Sequence, residues 1–438
     1  MNNYKLLPLS ALFLLGNMNA QMDSTRVEKE VEPIIITGTI KPMSKSKSPV
    51  PVEVYSPKFF RQNPTANIID AIGMINGIRQ QIDCAVCNTE NIRINGLEGP
   101  YTMVLIDGMP IVSSLSTVYG LSGIPQSMVE RIEVVKGPAS TLYGSEAIAG
   151  MINIITKNAL TAPTFTGDVY GTSWGEVNTD LGVKFNVGEK ASSLLSLNYY
   201  HFDTRIDKNE DNFMDKTLQK RISLFNKWNF QREEGRQASL AFRYMYEDRV
   251  GGEMQWKKEH RGGDEVYAES IYTNRFEAIA TYQLPLEEKV FTQLSYNYHN
   301  QDSYYGTEPY MGKQEVAFGQ IYWNPTWGDH DVLIGSGLRY NYYDDNTPGT
   351  LSADGKTNAP QRILLPGVFV QNQWTINPEN TLLLGYRFDY DRVHKAIHSP
   401  RVAWKTHLGE HHIRTSFGTG FRVVNLFTED HRALTGAR

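Results

Sequence analysis

The sequence predicts an antiparallel membrane β-barrel, present as part of its wall only, with an N-terminal α/β domain. Three observations carry that prediction. Segments from Phe165 onward alternate polar and apolar side chains. Short turns and long polar loops take turns along the chain. After the first 20 residues no apolar run reaches the length of a spanning helix. The 438 residues include 36 glycines and 24 tyrosines but are only 40% hydrophobic, as expected of strands apolar on one side alone. Lys plus Arg number 43 against 48 for Asp plus Glu, a formal charge of −5, which excludes a strongly basic nucleic-acid binder. Two cysteines exclude a disulfide-dense scaffold.

Residues 1–20 read as a secretory signal. Lys5 supplies the charge, Leu6–Leu15 is an apolar stretch of the right length, and Ala20 is a small residue at a plausible cleavage point. Polar Gln21–Glu32 follows and gives a buried helix nothing to pack against. In residues 21–50, Ile34-Ile35-Ile36-Thr37-Gly38-Thr39 is β-prone with no hairpin partner in sequence, and Lys41–Val50 reads as a mobile linker. The short strand is either an edge strand of the next domain or a free strand offered to a partner. The residues alone favour the former.

Residues 51–158 read as one compact α/β domain with a single small core. Val52–Tyr55 is a strand. Asn63-Pro64-Thr65 opens a helix that puts Ile68, Ile69, Ile72 and Ile75 on one face and stops at Gly77. Ile92–Ile94 alternates into an Asn95-Gly96 turn, and Thr102–Ile106 is a strand turned by Asp107-Gly108. Pro125–Glu130 opens a short helix, Arg131–Val135 is a strand, Ser140–Ala147 holds a turn or helical turn, and Met151–Thr156 is the last strand.

Three blocks in this domain resemble one family in order and spacing. ERIEVVKGPASTLYGSEAIAGMINIITK (130–157), IRINGL (92–97) and VLIDGMPI (104–111) are similar to the plug domain of TonB-dependent outer-membrane receptors. The resemblance implies a transporter of the Gram-negative outer membrane. It makes Ile34–Thr39 a candidate TonB box, a strand that pairs with periplasmic TonB and receives proton-motive force through it. The box departs from its commonest form. No carboxypeptidase-like extension precedes the plug, which argues against the polysaccharide-utilisation branch. Arg93 and Arg131 stand where the family's plug arginines meet glutamates of the barrel wall. Cys84-Ala-Val-Cys87 falls in a loop that family geometry aims at the ligand chamber. It reads as a local disulfide in an oxidising compartment, or as a thiolate site for a soft metal such as Cu(I), which Met254 and Met311 could extend.

Residues 159–438 read as barrel wall. Ala238, Leu240, Phe242, Tyr244 and Tyr246 share one face and Ser239, Ala241 and Arg243 the other, and two further segments repeat the pattern. A soluble sandwich alternates as well, so the connections discriminate. Asn186–Ala191, Gln231–Arg236, Leu284–Lys289, Pro325–His330 and Ile376–Asn380 are short, whereas 203–218, 248–269, 300–314 and 344–363 are long and polar. The count is 13 strands, against about 22 in plugged transporters, so the chain reads as a fragment or a truncated product.

No nucleophile elbow, P-loop, HExxH or dinucleotide fingerprint occurs, so neither an enzyme nor a resident cofactor is expected. The expected work is capture and energised uptake of a scarce metal chelate, with TonB, the chelate and outer-membrane lipid as partners. Tyr304, Tyr305 and Tyr310 could stack on a ferric siderophore, and His260 and His299 could ligate haem iron. GFRVVNLF (420–427) is similar to the FRAP box of haem receptors but has Val423-Val424 in place of Ala-Pro. Cobalamin, copper and a passive channel are the alternatives.

Overall fold

The computed structural model describes residues 33–424, apart from 63, 85, 111–114, 116–119 and 410. The signal segment 1–20 and Asn425–Phe427 of the FRAP-like stretch lie outside the described residues.

In the N-terminal domain, β3 (Glu53–Tyr55), β8 (Val129–Lys136), β9 (Gly150–Thr156), β6 (Thr102–Ile106) and β7 (Met109–Pro110) form one sheet in that order. β6 and β9 are parallel and the other pairs antiparallel. β6 and β9 are buried along their whole length, which explains why they read as nearly continuous apolar runs. Their alternate side chains serve two cores. Val104, Ile106, Ile152 and Ile154 join Ile68, Ile72 and Ile94 on one side, and Met103, Leu105 and Met151 join Val50, Leu142 and Ile35 on the other. Both cores continue into the wall, the first through Leu194, Phe225 and Phe318, the second through Tyr322, Phe369 and Leu383.

Short helices flank the sheet, among them α1 (Pro57–Gln62), α2 (Ile68–Ile72) and α3 (Ser140–Tyr143). The expected isoleucine face is buried. The helix opens later than the Asn63-Pro64 signal suggested, because Asn67 caps it: its side-chain oxygen accepts from the amides of Ile69 (2.8 Å) and Asp70 (2.9 Å). A separate hairpin joins β4 (Ile78–Cys84) to β5 (Thr89–Ile94).

The wall is a meander of thirteen long strands, matching the sequence count, plus a two-residue strand β18 (Thr326–Trp327). They run β10 (Phe165–Gly171), β11 (Val177–Val187), β12 (Ala191–Phe202), β13 (Leu218–Phe230), β14 (Ala238–Gly252), β15 (Ala268–Gln283), β16 (Val290–Tyr305), β17 (Glu308–Trp323), β19 (His330–Asp345), β20 (Gln361–Thr375), β21 (Asn380–Asp391), β22 (Lys395–Leu408) and β23 (His411–Gly418). Each pairs antiparallel with the next, and among the described residues β10 and β23 do not pair with each other, so the sheet is open. Outward positions such as Leu224, Phe242, Leu294, Leu338 and Val368 are exposed apolar side chains, as a lipid-facing surface requires. Inward positions between them carry buried Arg221, Arg243, Glu247 and Glu277.

Short connections gather at one end of the wall, and the loops 203–217, 253–267 and 346–360 at the other. One expected long loop is corrected. Residues 300–314 continue as ladder from Asn300↔Lys313 to Tyr305↔Glu308, leaving only Gly306-Thr307 as the turn. Gly306, at φ 61°, supplies the left-handed corner that the tight hairpin needs. The inward residues Ser303, Tyr305 and Tyr310 are buried, so the ladder gains by running on.

Candidate functional site

At the short-turn end, β8 and β9 set Glu133 directly opposite Asn153, both fully buried on the face that meets Ile35. Thr37 lies between them. The amides of Ile36 (2.9 Å) and Thr37 (2.8 Å) and the Thr37 hydroxyl (2.5 Å) all donate to Glu133 Oε2. Asn153 Nδ2 donates to the Thr37 hydroxyl (2.9 Å), and the Tyr143 hydroxyl donates to the Thr37 carbonyl (3.2 Å). Burial, then the nearby Glu133, pushes the Tyr143 phenol far up, so it remains a donor. Every polar group of Thr37 is thereby satisfied inside the domain.

This corrects the expectation of a strand without a hairpin partner in sequence, followed by a mobile linker. β1 (Ile34–Ile35) pairs antiparallel with β2 (Met43–Ser44). The following stretch packs as well: Ser48 and Val50 are buried, and Arg414 Nε donates to the Ser48 carbonyl (2.9 Å). Lys405 of the wall reaches the Ser46 carbonyl, and Lys41 pairs with Asp331. The sequence could not show this, because the acceptor Glu133 and the donors Lys405 and Arg414 that hold the segment lie far along the chain.

Arg93 and Arg131 find their carboxylates within the domain rather than on the described wall. Arg93 pairs with Glu98 (3.4 Å), and Arg131 with Glu130 (3.1 Å) and Glu133 (2.9 Å). Several bonds that join domain to wall run the other way, from wall cations inward. Lys227 meets Asp107 (2.8 Å) and the Thr156 hydroxyl (2.6 Å), Arg339 meets Glu146 (3.0 Å), and Arg243 donates to the Gly120 carbonyl (2.7 Å). Sequence reading missed these wall residues. Their one signal was a charge on the polar face of a barrel strand.

At the long-loop end, the 84–87 loop packs against wall aromatics. Cys87 is buried with Leu115, Ile271, Tyr305, Tyr310 and Tyr343. Arg249 Nη1 donates to the carbonyls of Cys87 (3.3 Å) and Asn88 (2.6 Å) and holds the loop from the wall side. The expected disulfide is corrected: both cysteines are free. The Cys84 thiol donates to Glu269 Oε2 (3.0 Å), while the Cys87 thiol turns toward the Thr89 hydroxyl (3.7 Å). Burial first, and then Cys84 and Glu269, hold the Cys87 thiol well above its ordinary range, so it is a neutral thiol.

The expected ligand contacts separate. Tyr305 and Tyr310 reach the loop as buried packing, with the Tyr310 and Tyr343 hydroxyls 2.8 Å apart. Tyr304 points to the other face of β16, under the Arg261 guanidinium at 4.6 Å. His260 Nδ1 accepts the Lys257 amide (3.0 Å) as a helix cap, and His299 is buried beside Arg275. Met254 packs in a separate cluster with Met214, Val250 and Trp256. Open apolar grooves lie on the outward face, lined by Ile321, Ile334 and Val368, where lipid rather than a chelate would lie.

Comparison with known proteins agrees with this layout. The family TonB-dependent Receptor Plug Domain matches residues 44–151, and the TonB dependent receptor-like β-barrel family matches residues 182–429. An iron-regulated outer membrane virulence protein of Vibrio cholerae is 25% identical over 97% of this chain, and the chain spans 65% of that protein's length. Among solved structures, a mutant of the ferric enterobactin receptor of Pseudomonas aeruginosa superposes with a TM-score of 0.68 at 16% identity, covering 90% of this chain and 64% of that one. The siderophore receptor PirA of the same organism superposes with a TM-score of 0.61 at 17% identity, covering 86% of this chain and 65% of that one.

Proposed function

Because the chain belongs to the TonB-dependent receptor family and so to the Gram-negative outer membrane, we propose that it serves the energised uptake of a ferric siderophore, with Ile34–Thr39 as the segment handed to TonB. The observation that carries the proposal is the way this segment is held. It has two residues of ladder and one cluster of side-chain bonds around Glu133, at the end of a domain that fills the wall. Such a segment is ordered at rest yet needs few bonds broken to leave. Ligand binding on the outside promotes release only if ligand favours the released state, so the coupling is a population shift.

The siderophore reading draws on the names of the relatives and on the placement of the two expected histidines, neither of which joins the Cys87 cluster. Radio-iron uptake from a ferric siderophore, in cells carrying the full-length gene, tests the proposal. Uptake is expected to stop when TonB is removed, and uptake that persists identifies a passive channel. Growth of the deletion strain on haem, cobalamin or limiting copper, with siderophore uptake intact, would transfer the function to that cargo. Ile36→Pro removes a single amide N–H, which donates to Glu133 and which pairing with TonB as an added strand would need, so it is expected to abolish energised uptake while surface binding of ligand remains. Unchanged uptake would place the TonB-contacting segment elsewhere.

A further inference from the structure

Among the described residues six glutamates are buried: Glu133, Glu146, Glu176, Glu247, Glu269 and Glu277. Five have a cation. Glu133 has Arg131, Glu146 has Arg339, Glu176 has Lys216, Glu247 has Arg221 and Arg249, and Glu277 has Arg243 and Arg275. Glu269, only 8% exposed, has none. It accepts instead from the Tyr267 hydroxyl (2.9 Å) and the Cys84 thiol (3.0 Å). A buried carboxylate held by neutral donors alone is costly unless a cation joins it. The two side chains facing it are sulfur ligands: Cys84 Sγ, Cys87 Sγ and a Glu269 carboxylate oxygen all lie within 4.8 Å of one another.

We propose that Cys84, Cys87 and Glu269 form a binding site for a thiophilic divalent cation of the zinc class, joining the apex of the plug to wall strand β15. A tetrahedral zinc ion, with bonds of about 2.3 Å to sulfur and about 2.0–2.2 Å to oxygen, needs its donors roughly 3.5–3.8 Å apart, a separation that donors already within 4.8 Å of one another reach by small movements. Two thiolates with one carboxylate suit a borderline cation, whereas Cu(I) favours sulfur throughout. Three protein ligands leave a fourth position to water or an external donor. Binding sends the two thiol protons to solvent and replaces the thiol–carboxylate hydrogen bond; no electron is transferred. The Cys87 amide, already donating to Cys84 Sγ (3.3 Å), stabilises that sulfur as a thiolate. The Arg249 guanidinium on the loop carbonyls offsets the surplus negative charge. The inference stands independently of which chelate the receptor carries.

The test is titration of the full-length receptor, isolated from outer membranes and reduced, with Co²⁺ alone. One equivalent is expected to saturate a near-ultraviolet thiolate-to-cobalt absorption, and Zn²⁺ to bleach it. Cys84→Ser should remove most of the band. Glu269→Gln should weaken binding by at least about tenfold, since loss of an outer supporting group already costs about 10–100-fold. A second measurement needs no variant: Zn²⁺ should protect both thiols of the native protein from alkylation, and a chelator should restore their reactivity. Absence of the band, a band that survives Cys84→Ser, or a native protein without titratable thiols after chelation would overturn the proposal.

Discussion

Glu133 does at the scale of one residue what the fold needs at its short-turn end. It accepts two amides, a hydroxyl and the Arg131 guanidinium from a fully buried position. Glu133→Gln keeps an acceptor oxygen but loses the charge, and hydrogen bonds to charged groups contribute about 1.5–3 kcal/mol. Amide exchange at Ile36 and Thr37 should therefore accelerate by about tenfold or more. Unchanged exchange would assign the hold to Asn153 and Tyr143. A second pair of plug carboxyls sets a pH dependence. Burial raises Asp70 and Glu90 above their ordinary values, and Asp70 raises Glu90 further. The native state thus keeps protons that the unfolded chain has lost, so stability is greatest below the unfolded values and declines as pH climbs through the raised native ones. Glu90→Gln should flatten that decline in urea midpoints measured between about pH 4 and pH 7. At this scale the sequence was only partly legible. It marked Thr37, Cys84 and Cys87, but not Glu133, Asn153 or Glu269, whose roles depend on partners up to 185 residues away.

Elements were more legible, because periodicity is local. The β6, β8 and β9 strands and the Asn95-Gly96 and Asp107-Gly108 turns fall where their residues pointed, and Asn95 and Asp107 both adopt positive φ. The β16–β17 hairpin was misread because Asn300, Gln301 and Asp302 look like loop, yet Gln301 is buried on the lumen side and Asp302, on the other face, pairs with Arg261. The fit between β14 and the 84–87 loop depends on one missing side chain. A Cβ on Gly251 would stand 1.7 Å from the Val86 carbonyl oxygen, a backbone atom that cannot turn aside. Gly251→Ala is therefore expected to lift the loop at a cost of about 1–3 kcal/mol. Alkylation of Cys87 should then run faster than in the unmodified protein, and an equal rate would mean that β14 yields instead.

For the whole molecule, class and strand count were legible because an alternating wall records its own number of strands. The packing of plug into wall was not, since two cores that span both units leave no local pattern. Among the described residues the open sheet has two unpaired edges, β10 and β23, which hydrocarbon does not tolerate. The 438-residue chain purified alone is expected to migrate identically in SDS gels whether heated or not. A heat-shifted band would show that the edges find partners. The tether at the short-turn end also has a mechanical meaning. A tug on residue 33 directed away from the wall would load its bonds one after another: the two ladder residues of β1, then the Glu133 cluster, then the contacts of Lys41, Ser46 and Ser48 with β19, β22 and β23, then the three of β3 against β8. Rupture in series takes far less force than shearing a long ladder at once. Glu133 is itself a β8 residue, so the same tug passes straight into the central sheet. The plug is thus wired to unravel from this end, through the strand order β3, β8, β9, once the wall has let go of residues 41–48.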